Sequence, residues 1–207
     1  MIPRKSFVAA LVVLTCMFLP TLATASSSTD FSNSGGTLSG TNAGLSLTGS
    51  GLIAVTGFNG GGLITGDLGT VSFTTGALTS GDLQMGATLA GGGSFTITGN
   101  GTDGLPNGVI FSGTFSGSVT WTLATLANGT HNYTLTGVVT GTMGGMNVNG
   151  VTVQLTINTG TGFFTGSTLI AGGDTTVESS VPEPSTLLMF GTGLSMLGMV
   201  RQKLFGR

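Results

Sequence analysis

The chain has 207 residues, 39 of them glycine, with 6% charged residues and a formal net charge of −2. All five basic residues, Arg4, Lys5, Arg201, Lys203 and Arg207, lie near its two ends, so the body between them carries carboxylates alone. A body without one fixed positive charge cannot neutralise phosphates, which excludes nucleic-acid binding and makes anionic membranes and acidic polysaccharides poor partners.

Arg4 and Lys5 precede an apolar run from Phe7 to Leu19, and Ala23-Thr24-Ala25 forms an A-x-A site before Ser26. This is the pattern of a signal peptide over residues 1–25, removed by signal peptidase between Ala25 and Ser26. The single cysteine, Cys16, falls inside that segment; Thr15 stands before it where a lipobox needs Gly or Ala. The exported body therefore has neither disulfides nor thiolate chemistry. Residues 26–44 open with Ser-Ser-Ser-Thr-Asp and read as a flexible leader.

Residues 45–171 read as one Gly/Thr-rich β domain. In Val109–Leu123 the odd positions are Val109, Phe111, Gly113, Phe115, Gly117, Val119, Trp121 and Leu123, while Ser or Thr fills the even positions from 112 on. Alternation at 180° per residue marks a strand with one dry and one wet face. Tyr133–Met143 and Val151–Asn158 repeat it, with Asn128-Gly129 and Asn149-Gly150 as turn pairs. These segments predict an antiparallel meander, with Trp121 opposite Tyr133 and bends or bulges at Gly113 and Gly117. Leu45–Val55, Thr70–Thr74, Ser94–Thr98 and Ser167–Ala171 give weaker strands, with Phe163-Phe164 beside the last. No helix is expected between residues 26 and 180. One-sided alternation needs a second layer, so the predicted fold class is all-β, an antiparallel sandwich or jelly-roll, with a β-solenoid as the alternative.

Few residues in the body carry chemistry. His131 is the one histidine, without a Gly-x-Ser-x-Gly elbow, and reads as a solvated turn residue. One histidine and no body cysteine cannot assemble a zinc site. Asp67, Asp82 and Asp103 stand singly among Gly and Thr; paired carboxylates run glycoside hydrolysis and clustered ones hold calcium, but turn aspartates bonding their own backbone fit better. The expectation is no enzyme and no cofactor, with calcium the one ion considered. Trp121 and Tyr133 fall on the apolar face and read as core rather than as a sugar-stacking platform. Thr114, Ser116, Ser118, Thr120 and Thr122 form a hydroxyl ladder suited to solvent, polysaccharide or O-glycans.

Residues 172–180 read as a linker. Beyond it stand Val181-Pro182-Glu183-Pro184-Ser185, an uncharged run Thr186–Val200, and a basic end with Arg201, Lys203 and Arg207. The run is about 22 Å long as a helix, short against a hydrocarbon core of about 30 Å, and Gly191, Gly193 and Gly198 weaken it. It reads as a single transmembrane helix with its basic end cytoplasmic. Residues 181–207 as a whole resemble the PEP-CTERM sorting signal of exopolysaccharide-producing Gram-negative bacteria, although Gln202, Leu204, Phe205 and Gly206 interrupt the usual basic cluster. The resemblance implies recognition by exosortase, a membrane protease, with cleavage near the motif. It also implies passage from the inner membrane to the cell surface or extracellular matrix. The combined expectation is an exported, non-enzymatic surface or exopolysaccharide-matrix (biofilm) protein, or alternatively a carbohydrate-binding module of the envelope.

Overall fold

Alternating apolar and hydroxyl side chains carry through into an all-β, antiparallel architecture. The computed structural model describes residues 24–182. The chain divides into two units, Ser27–Ser179 and a second made of Met1–Ser26 with Ser180–Arg207; the first is described below. The transmembrane helix expected over Thr186–Val200 and most of the signal peptide lie outside the described residues. Among the described residues no helix is long and apolar enough to cross a membrane.

The strands in chain order are β1 (Thr24–Ser34), β2 (Thr37–Thr41), β3 (Gly44–Thr56), β4 (Ile64–Thr74), β5 (Leu78–Asp82) and β6 (Gly86–Leu89). Then follow β7 (Gly92–Asn100), β8 (Asn107–Phe115), β9 (Val119–Thr125), β10 (His131–Met143), β11 (Met146–Asn158), β12 (Ser167–Leu169) and β13 (Gly172–Pro182). Two 3-10 turns, Phe58–Gly60 and Thr102–Gly104, complete the described elements.

All thirteen strands belong to one sheet, and it returns on itself. The path β11-β13-β1-β3-β4-β7-β8-β10 closes through the β10–β11 ladder. The two separate layers of a sandwich or jelly-roll are therefore replaced by a barrel, which buries the dry face by closure and removes most free edges. Two long strands change partner along one edge. β10 pairs with β9 through His131–Thr136 and with β8 through Val139–Met143. β3 pairs with β2 through Gly44–Thr48 and with β1 through Gly51–Thr56. At the first fork a Cβ on Gly137 would stand 2.8 Å from the Phe115 ring. Glycine there makes room for the phenylalanine.

Several expectations change. The leader 26–44 contains most of β1 and all of β2, tied to β3 by ladders, and the linker 172–180 lies within β13, which pairs with β11. The single strand Val109–Leu123 is two, β8 and β9, broken at Ser116-Gly117-Ser118. Val109 is exposed because a register shift against β7 turns Ile110 and Phe111 inward in succession. Trp121 lies opposite Leu135 rather than Tyr133, since the loop is centred on Asn128. The two rings still stack diagonally, 5.1 Å apart and 15° from parallel.

The interior is filled by side chains. Phe73, Phe95, Phe111 and Phe115 meet at centroid distances of 5.8–6.1 Å beneath β4, β7 and β8. Trp121, Tyr133 and Phe164 form a second group beneath β9 and β10, all three essentially buried. The loops joining strands hold this end shut: Trp121 Nε1 donates to Leu83 O at 2.9 Å and Tyr133 Oη to Gln84 O at 2.6 Å, while Phe164 N donates to Tyr133 Oη at 3.1 Å.

Candidate functional site

The inward face of the barrel thus offers packing, and the groups with chemistry left to them lie outside. Of the aspartates, Asp82 accepts backbone hydrogen bonds from Gln84 and Met85 at 2.8 and 2.7 Å, closing the β5–β6 turn. Asp103 occupies the left-handed region, φ 51°, in the Thr102–Gly104 turn. Asp67 is exposed on β4, where its carbonyl accepts from Asn100 Nδ2. None of these approaches a partner: among the described residues no three His, Cys, Asp or Glu side chains gather as metal ligands.

His131 departs from the solvated turn position expected for it. It is the first residue of β10, only 8% exposed, with its ring stacked on Phe163 at 4.4 Å and Nδ1 3.1 Å from Thr125 Oγ1. No carboxylate stands beside it in these contacts. Trp121 and Tyr133, at 1% and 0% exposure, are core as expected.

The hydroxyl face is an organised polar surface on the outside of the described strands. Thr114, Ser116, Ser118, Thr120 and Thr122 are all exposed, although Ser116 and Ser118 fall in the break between strands. Across the strands the pattern is longer than any one strand shows. Thr88, Thr120, Thr136, Gln154 and Asp174 are successive register partners on β6, β9, β10, β11 and β13. Asp174 Oδ1 then accepts from Ser32 Oγ of β1 at 2.7 Å. A second rank runs Ser72, Thr96, Ser112, Thr142 and Asn147 over β4, β7, β8, β10 and β11. Such cross-strand rows present donors and acceptors in register, without charge except at Asp174.

β13 lies beside β1, and the pairs Ser32–Asp174 and Asp30–Thr176 run in opposite sequence order. β1 and β13 are therefore antiparallel neighbours. Ala25 and Ser26 lie in β1, and Val181-Pro182 end β13. Ala23, Glu183, Pro184, Ser185, Arg201, Lys203 and Arg207 lie outside the described residues.

No curated protein and no solved structure matches the chain. Residues 180–203 match the family model of the PEP-CTERM protein-sorting motif. The motif implies processing by exosortase, and so an exported chain that passes through the membrane. The motif begins within the last residues of β13, and on it the chain is a PEP-CTERM sorting domain-containing protein.

Proposed function

We propose that the barrel is a non-enzymatic component of the cell surface or exopolysaccharide matrix of a Gram-negative bacterium, released there once exosortase has processed its tail. The observation that carries this reading is the sorting motif at residues 180–203, on a chain whose barrel has an interior filled with side chains. Turn-bound Asp82 and stacked His131 support a structural assignment for the groups that otherwise suggest catalysis. The hydroxyl ranks favour a second reading, a carbohydrate-binding module of the envelope.

The intact mass of the protein recovered from its native surface and medium tests the first reading. The expected species begins at Ser26 and ends between Val181 and Ser185, in the matrix fraction. Replacing Pro182, Glu183 and Pro184 together by alanine should leave a membrane-bound chain that still carries Arg207. Wild-type protein found only in that unprocessed form would overturn the proposal. So would sugar release from the matrix polysaccharide that disappears on Asp67→Asn or Asp82→Asn.

A further inference from the structure

One groove of about 450 Å³ opens on the outer wall of the barrel, within the range of about 300–1,000 Å³ common for small-molecule sites. It forms where β1 gives way to β2 through Gly35-Gly36 and where β13 begins at Gly172-Gly173. Its walls are Ser32, Gln154, Thr156 and Asp174, with Ile53, 45% exposed, as an apolar ledge. Ile53 is the extra residue of a bulge, since β1 pairs Ser32 with Ala54 and Asn33 with Leu52.

The groove's floor is built. Asn33, 4% exposed, points inward and donates from Nδ2 to Ser50 Oγ at 2.7 Å; Ser50, fully buried, donates on to Ser34 O at 3.3 Å. A Cβ at position 173 would lie 2.7 Å from Asn33 Oδ1. Glycine at 173 therefore keeps both the carboxamide in place and the groove open. Gln154 and Asp174 also end the rank that starts at Thr88 on β6. That rank spans six strands with Ser32, roughly 24 Å at about 4.8 Å per strand.

We infer that this groove binds a neutral, hydroxyl-rich glycan chain, whose further sugars run along the Thr88–Asp174 rank. The proposal deepens the carbohydrate-binding reading and rests on it. Hydroxyl, carboxamide and carboxylate groups supply both donors and acceptors for sugar hydroxyls, and Ile53 offers a surface for the C–H face of a ring. Asp174 is the single charge in the lining, and the chain has no Lys or Arg between Ser6 and Val200. A polyuronate or phosphorylated ligand would meet a carboxylate with nothing to neutralise it.

The mature protein released by cells is titrated with cellohexaose and dextran as neutral probes and with a hexagalacturonate as the anionic one. Saturable binding of a neutral probe and none of the uronate is expected. Gln154→Ala should weaken binding about three- to tenfold, as for one lost hydrogen bond. Thr156→Trp should abolish it by filling the groove, and Val109→Thr, at an exposed position outside the groove and the hydroxyl ranks, should change nothing. No saturable binding of either neutral probe, equal binding of the uronate, or affinity indifferent to Gln154→Ala and Thr156→Trp would each overturn the assignment. Matrix retention of a protein that fails to bind the probes removes the groove and leaves the matrix role standing. Specific binding by a protein absent from the matrix does the reverse.

Discussion

Beneath β4, β7 and β8 four phenylalanines meet with no polar atom among them, whereas beneath β9 and β10 an indole, a phenol and a phenyl ring share their space with three hydrogen bonds. The first group is held by area and shape alone. The second also anchors loops distant in sequence: Tyr133 bonds Gln84 and Phe164, 49 and 31 residues away. Apolar packing tolerates any neighbour of suitable shape, but a buried phenol or indole needs a specified carbonyl. One half of the barrel is therefore closed by strands, and the other by strands together with the loops their aromatic residues hold.

The largest effect should come from emptying the first group. Phe95→Ala removes a ring that contacts Phe73, Phe111 and Phe115, and should cost about 3–5 kcal/mol of stability in urea unfolding. Against a total of about 5–15 kcal/mol for a domain, this is severe. A loss below about 1 kcal/mol would show that the four rings are not a shared core. Tyr133→Phe sharpens the contrast, since it keeps the ring and removes only the hydroxyl. It leaves Phe164 N without its acceptor and should cost about 1–3 kcal/mol. Amide exchange should quicken in Asp82–Gly86 and around Phe164 while β7 and β8 stay protected. Uniform loosening of the whole barrel would mean that the loops are not held separately.

The same contrast decides what could be read from the chain. Val119, Trp121, Tyr133, Leu135, Val151, Val153, Leu155 and Ile157 are buried as their period of two requires. Alternation is local and survives whatever pairs with the strand. β1 and β2 were illegible because Ser, Thr, Asp and Gly dominate them; Phe31 and Leu38 face inward only because β3 and its neighbours supply the wall. The diagonal placement of Trp121 turns on loop bonds from Leu126 N to Thr130 O and from Gly129 N to Leu126 O, which centre the turn on Asn128. His131 is buried by Phe163, which no window around residue 131 contains. Closure was illegible for a like reason: a dry face can be covered by a second sheet or by the same sheet curling, and the pairings of β11 with both β10 and β13 produce the latter. The hydroxyl ladder could be read from the sequence, but the groove joins residues 32–34, 53, 154, 156 and 171–174, which no periodicity links.

The outer hydroxyls should show the smallest effect on stability, and that is what makes them informative. Thr120 and Thr136 are cross-strand partners on the exposed face, and among the described residues neither hydroxyl is hydrogen-bonded into the fold. Valine has the same branching and a strand preference at least as strong. Thr120→Val with Thr136→Val should therefore leave the urea midpoint within about 0.5 kcal/mol of wild type. A loss above about 1 kcal/mol would mean that the hydroxyl rows support the wall as the buried rings do. A neutral result, combined with weaker retention on the matrix polysaccharide, would separate the two faces of the same strands. The inner residues would then account for the barrel, and the outer ones for what it meets outside the cell.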